Sequence, residues 1–514
     1  MVDIQGENIK RPGKEAWLPI EVCVVAAAQH CANMTDLDSA EIVRQTSYPP
    51  PIRQEKIMEQ VYQAGFVNDP FLAAFGIKVD HNFERIQAHV IDAPTLLFKN
   101  VSERPTGGQW SLRGKKFVEG IPVRNWGVIV AANVSERDIH LFIVKLADSG
   151  DQCGLPFEDK SPMLIRQDQH RGAQVGDLMK MCYQELERRG AGPPQFLLVI
   201  LQSKNSPVYG DVKRMSDTVL GLPSQCIVSQ NLPRANPQLC ANVCLTVNAK
   251  LKGKSHVLLD ELPLIDSAPT IIIGVDVEKP GDRSSVAAVA VVASVDRYAA
   301  QNAPRMAAQD ASSYIQHLPS MLRELLLVYQ EKTEHIPEHV VYYRHGVSED
   351  RLFEILQTEM RALREAFKMI SDDYNPPVTF VVANTSHYVR AFSMNRGEAD
   401  RQGNVMPGTV IDTGVVNPHR FEFFLYGHGG IKGTTVPAHY TVLHDENKMP
   451  ADDIQRLTYH LGYMVSHRTR SESFTAPVHY ANLAVARIRN ILSSPPTFDF
   501  TSVHENMLDC MFYL

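Results

Sequence analysis

The sequence predicts an α/β protein built as two consecutive units, and three observations carry that reading. From residue 126 onward, apolar β-branched runs alternate with helical patterns. Two of the runs, QFLLVIL (195–201) and TIIIGVDV (270–277), are almost continuously apolar, as strands buried on both faces of a parallel sheet require. The segment 349–370 instead places apolar residues at 352, 355, 356, 360, 363, 367 and 370, the stripe of an amphipathic helix.

Taken in order, residues 1–105 contain helical stretches such as PPIRQEKIMEQVYQAGF (50–66), broken by proline and aspartate clusters. SERPTGGQW (102–110) reads as a loop. WGVIVAAN (126–133) reads as a strand, VGDLMKMCYQELERRG (175–190) as a helix closing on Gly190, and QFLLVIL as the next strand. A helix is expected near 209–220, a short strand at CIVSQ (226–230) and a helix from about 237 to 252. In the second unit, TIIIGVDV and SVAAVAVVASV (285–295) are strands joined by EKPGDRS, whose Pro-Gly-Asp is a turn signal. A helix near 313–330, the strand HVVYYRHGV and the 349–370 helix follow. Then come VTFVVAN (378–384), FEFFLYGH (421–428), AHYTVLHD (438–445) and two closing helices.

Bulk properties exclude several classes. The chain has 514 residues, 44% apolar and 21% charged, ordinary values for a folded protein of about three typical domains. The longest apolar run (286–295) is far short of the roughly 20 residues that span a bilayer, so no membrane partner is expected. The first residues have no apolar signal-peptide core, and the eight cysteines form no CxxC pair, so zinc is not expected. A reducing intracellular compartment, cytoplasmic or nuclear, fits this usage. The net charge of −7 does not suggest a nucleic-acid binder, but one basic groove suffices in a large protein.

The most informative stretch is SPVYGDVKRMSDTVLGLPSQCIVSQN (206–231). Tyr209 and Lys213 lie four apart on one helical face, Gln225 opens the next strand, and Lys250 ends the next helix. Converging at the carboxyl ends of the strands, they would suit a phosphate with a flat ring beside it. Spacing alone fits a plainer account better, in which the lysines are solvated helix charges and the tyrosine is packed in a turn.

This stretch closely resembles the MID domain of eukaryotic Argonaute proteins, whose matching positions hold the 5′-phosphate and first base of a small guide RNA. The resemblance continues through the chain. LPIEVC (18–23) and NDPFLAAFGIKV (68–79) are similar to the linker before MID, while GVDVEKPG, YYRHGVSE, GTVIDTGVVNP (408–418), GGIKGTTVPAHY (429–440) and TAPVHYANLAVAR (475–487) resemble successive landmarks of the PIWI domain. It implies a linker over 1–105, a Rossmann-like MID domain over 106–264 and a ribonuclease H-like PIWI domain over 265–514. No counterpart of the family's N-terminal and PAZ domains is recognised. It also implies that Tyr209 stacks on the guide's first base and that Lys213, Gln225, Lys250 and Arg487 hold its phosphate, with Asn242 and Cys226 nearby. His428, Ile431, Lys432, Ser473 and Tyr480 match positions along the guide backbone. Thr246 and Val436 stand where basic residues are usual, which thins the groove's charge.

Cutting members of the family clamp the scissile phosphate with two magnesium ions held by carboxylates. Asp276 matches the first aspartate. His345 stands at the second and Asn482 at the fourth position, and counting back from SMLREL puts Ser313 at the loop glutamate, with Asp310 as a nearby substitute. The resemblance therefore implies a lobe that binds guide RNA and pairs it with target RNA for silencing without cutting, leaving the outcome to recruited partners such as glycine–tryptophan-rich proteins. An RNA-guided endonuclease with an altered magnesium or manganese site at Asp276, and a scaffold that has lost guide binding, are the alternatives.

Overall fold

In the computed structural model, residues 2–3, 17–18, 36–170, 172–204, 208–278, 286–310, 314–492 and 503–514 are described. The leading segment contributes paired two-residue strands β1 (Val2–Asp3) and β2 (Trp17–Leu18), helices α1 (Asp36–Thr46), α2 (Pro50–Gln63) and α3 (Pro70–Ala74), and the short strands β3 (His89–Val90), β4 (Leu96–Leu97) and β5 (Ser102–Glu103). Proline opens both α2 and α3, where its missing N–H costs nothing, and Asp69 caps α3 by accepting from the backbone N–H of Phe71 and Leu72.

The first α/β unit is a four-stranded, wholly parallel sheet ordered β7-β6-β8-β9, made of β6 (Trp126–Ala131), β7 (Met163–Arg166), β8 (Phe196–Leu201) and β9 (Ser224–Val228). Its helices are α4 (Glu136–Cys153), α5 (Val175–Arg188), α6 (Val208–Arg214) and α7 (Pro237–Lys250). Alternation along the central strands explains their unbroken apolar sequence. Val128, Val130, Leu198 and Ile200 pack with α4 and α7, while Ile129, Leu197, Val199 and Leu201 pack with α5 and α6. The expected strand at 226–230 lies instead at Ser224–Val228, in register with Leu197–Leu201. The expected helix at 209–220 is present, but its second half, Met215–Leu220, is a π-helix.

After the two-residue strand β10 (Val257–Leu258), which pairs with β4, the second unit is a nine-stranded mixed sheet ordered β13-β12-β11-β14-β15-β18-β17-β16-β3. Its members are β11 (Thr270–Glu278), β12 (Val286–Ser294), β13 (Asn302–Asp310), β14 (His339–His345), β15 (Val378–Asn384), β16 (Thr409–Ile411), β17 (Phe421–Leu425) and β18 (Ala438–Asp445), with β3 on the far edge. One face carries α8 (Leu318–Thr333) and α9 (Leu352–Lys368), and the other carries α10 (Ala451–Leu461) and α11 (Ala476–Leu492). The turn expected at EKPGDRS lies largely outside the described residues. Strand β13 was not expected from the sequence, and the helix placed at 313–330 begins only at Leu318. Pro304 sits within β13, which is tolerable because β13 is an edge strand and Pro304 need not donate to a second neighbour.

Two local features set the approach of α11 to the sheet. A Cβ on Gly274 would lie 2.2 Å from the carbonyl carbon of Pro477, so only glycine lets the helix start this close to β11. Along β11, period-2 alternation then puts Ile272, Gly274 and Asp276 on the α11 face, with Val341, Tyr343 and His345 of β14 beside them.

His256 ties the leading segment to the second unit. Its ring packs against Phe98 and Trp110, and Nε2 meets the Tyr463 carbonyl at 2.9 Å. Burial pushes this imidazole down to about 4 from an ordinary 6.5. The unfolded chain therefore binds the proton more readily between those values, and stability falls as pH drops through that window. At pH 5 this one histidine is expected to cost about 2 kcal/mol relative to pH 7. Urea denaturation at both pH values checks it: the drop should shrink in His256→Gln.

Candidate nucleic-acid interface

The first site gathers around Ser224. Helices α6 and α7 both run back along the sheet and deliver Lys213 and Lys250 to the first residue of β9. Both ammonium groups donate to the Ser224 carbonyl at 2.9 Å; Lys213 also reaches Ser224 Oγ and Lys250 reaches Gln225 Oε1, each at 2.9 Å. The lysines are 2% and 3% exposed, and among the described residues neither forms an ion pair. The pocket therefore lies at the amino end of β9, not at the carboxyl ends of the strands where the sequence reading placed it. The physical reason is helix direction: Lys213 and Lys250 sit in the last turns of helices that descend antiparallel to the strands.

Tyr209 is half-buried, with the Lys213 ammonium 5.5 Å from its ring centroid, so its ring and the cation are part of one surface. Cys226 is half-buried beside them, whereas Asn242 is exposed and its Oδ1 accepts from Gln238. Thr246 spends its hydroxyl on the Asn242 carbonyl one turn earlier.

Arg487 enters from α11. It is 3% exposed, donates to Asp217 Oδ2 at 2.9 Å and to the Leu514 carbonyl at 3.2 Å. Asp217 lies in the π-helix, whose wider winding is a frequent mark of a functional segment. Sequence reasoning missed both Asp217 and Ser224. For Asp217 a signal existed, because it follows Lys213 by four residues on a helical stretch. Burial, with Lys213 and Arg487 close by, holds the Lys250 ammonium well below its ordinary range. Three cations against one carboxylate leave this pocket short of negative charge, and an anion is what its chemistry calls for.

Along the expected backbone path, Ile431 and Lys432 are exposed, and His428 Nδ1 meets Ser473 Oγ at 2.8 Å. Burial, then the nearby Arg470, lowers His428 to about 4, so at neutral pH it contributes hydrogen bonding and no charge. Tyr480 does not fit its expected place. It is fully buried, and its hydroxyl donates towards Met464 O and Ser466 Oγ while accepting from the Ser466 N–H at 2.7 Å. Every hydrogen-bonding direction is used inside the protein.

The second site lies on the α11 face of the large sheet. His345 Nδ1 is 2.9 Å from Asp276 Oδ1, Asn482 Nδ2 is 3.3 Å from the same ring nitrogen, and Phe474 meets the imidazole edge-on at 4.8 Å. The sequence thus named three residues that the fold does bring together. Glu278, two residues beyond Asp276 on the same face, is engaged by Arg489 at 2.7 Å.

Asp310 does not join this cluster. Register places Asp276 opposite Ala290 and Ala290 opposite Met306, so Asp310 lies four residues farther along, ~13 Å, and two strands across, ~10 Å. Ser313 lies outside the described residues. Among those described, no group of three or more His, Cys, Asp or Glu is arranged to hold a metal ion. One carboxylate, one imidazole and one amide do not fit a magnesium pair, which needs several hard anionic oxygens.

A two-site α/β molecule with an anion-seeking pocket shared between its units defines a class, and comparison with known proteins specifies it. The family model described as Piwi domain matches residues 196–493, Mid domain of argonaute matches 104–184 and Argonaute linker 2 domain matches 52–98. The chain belongs to the Argonaute family. It is 32% identical over 501 residues to the protein argonaute of Schizosaccharomyces pombe, covering 95% of this chain and 59% of that one, so it spans under two thirds of this curated relative. The fold is similar to Kluyveromyces polysporus Argonaute solved with a guide RNA (TM-score 0.81, 23% identity, 98% of this chain and 61% of that one). It is also similar to the C-terminal lobe of a budding yeast Argonaute (TM-score 0.74, 24% identity, 83% and 95%) and to Drosophila Piwi (TM-score 0.77, 19% identity, 93% and 64%). No helix among the described residues is long and apolar enough to cross a membrane.

Proposed function

We propose that this chain holds the 5′-phosphorylated end of a small guide RNA and presents it for pairing with target RNA, without cutting the target. The observation that carries the reading is the Lys213–Lys250 pair, two buried ammonium groups on one carbonyl oxygen with, among the described residues, no carboxylate of their own. A guide's terminal phosphate supplies the missing charge, and Tyr209 supplies a ring for the first base. Arg487, already paired with Asp217, is a positioning residue that ties the pocket to α11. The structural neighbour from Kluyveromyces polysporus, solved with a guide RNA, supports the same reading. For target cleavage, the single carboxylate among Asp276, His345 and Asn482 favours a non-cutting role. The boundaries 1–105, 106–264 and 265–514, an intracellular location and recruitment of glycine–tryptophan-rich partners belong to this proposal.

The test reads affinity. Burial beside Lys213 and Arg487 disfavours the Lys250 ammonium, and an entering phosphate offsets that penalty, so binding should depend on the phosphate. Calorimetric titration should show 5′-phosphorylated single-stranded RNA binding more tightly than 5′-hydroxyl RNA. Equal affinity for the two RNAs would refute the phosphate pocket.

A further inference from the structure

Away from both sites, a cavity of about 500 Å³ opens between the start of β11, the end of β12 and the end of α8. That volume is typical of small-ligand sites. None of its lining residues belongs to the phosphate pocket or the Asp276 cluster. Its lining combines three chemistries.

The first is an acceptor without a donor. Asp296 Oδ1 accepts from the backbone N–H of Ala300 and Gln301 at 2.8 and 2.9 Å, but among the described residues the buried Oδ2 has no hydrogen-bond partner; Lys254 Nζ is 3.9 Å away. The second is cationic excess. Lys254, Arg297 and Lys332 line the cavity against Asp296 as its one carboxylate. Lys254 is shared with Glu119 at 3.1 Å, and Lys332 reaches only the Asp509 backbone carbonyl at 3.3 Å. The third is a flat wall. The Arg297 guanidinium lies 4.5 Å from the Tyr298 ring centroid, and Tyr329 and Pro269 also line the cavity.

A ligand that satisfies all three carries a hydrogen-bond donor edge, a planar ring and an anion at its other end. We propose that this cavity binds a nucleoside monophosphate, with a base N–H donated to Asp296 Oδ2, the ring against the tyrosines and the phosphate between Lys332 and Arg297. An apolar side chain or a simple anion would leave the buried Asp296 Oδ2 without a donor. Burial raises the Asp296 carboxyl.

The experiment is calorimetric titration of the full chain with AMP and with adenosine. AMP should bind in the sub-millimolar range and adenosine about tenfold more weakly, the loss of one charge-assisted contact. Lys332→Met should weaken AMP about tenfold, and Asp296→Asn, which keeps the two backbone contacts, should do the same. Melting curves on both variants establish that the fold is retained. Absence of AMP binding, binding unchanged in folded Lys332→Met, or adenosine binding as tightly as AMP would each overturn the assignment.

Discussion

Replacing Lys250 by methionine should leave the protein as stable or more stable while removing most of its preference for a 5′-phosphate. The stem of Lys250 is packed and its ammonium is buried, facing Lys213 and Arg487. Methionine keeps the stem's volume and removes a desolvated, mutually repelling charge, a change that is often neutral or stabilising. Losing a charge-assisted hydrogen bond to phosphate costs about 1.5–3 kcal/mol, roughly 10- to 100-fold in affinity. Opposite signs for melting temperature and affinity distinguish a binding residue from a structural one. Filter binding of 5′-phosphorylated and 5′-hydroxyl RNA beside thermal melts reads both. Equal loss for the two RNAs, or melting that collapses with affinity, would make Lys250 a fold residue instead. The salt dependence of phosphate-specific binding should also become shallower in the variant, because one fewer phosphate contact releases counterions.

The second expectation concerns the Asp276 cluster. With guide and matched target present, magnesium or manganese should leave the target intact, because one carboxylate beside an imidazole and an amide cannot neutralise two divalent ions. The combined change His345→Asp with Asn482→Asp should create a metal site where none existed. Three carboxylates would then face one another, so the variant should melt lower than the parent without metal and gain stability with manganese. The gain is about 2.7 kcal/mol at a hundredfold excess over the dissociation constant. Target cut by the unmodified protein at one fixed distance from the guide's 5′ end, and no longer cut after Asp276→Ala, would overturn the non-cutting reading.

How much of this was legible in the sequence varies with the range of the interaction. Asn482 and Arg487 are five residues apart, roughly 140° around a helix axis, and the structure turns one to His345 and the other to Asp217. That split follows from periodicity alone. The central parallel strands were equally legible, because a strand covered on both faces has few positions for a polar side chain. Strand β13 was not, since an edge strand tolerates Pro304 and polar residues and so resembles a loop.

The sequence by itself therefore determined the two-unit α/β organisation, the order of the central strands' segments, and which side chains are chemically able to serve each site. Local periodicity and side-chain chemistry suffice for that. Only the tertiary structure decided that Lys213 and Lys250 meet on one carbonyl at the amino end of β9, that Tyr480 is sealed inside, and that Asp310 is out of reach of Asp276. Those outcomes depend on helix direction, strand register and the close approach permitted by Gly274, where residues far apart in the chain fix one another's positions.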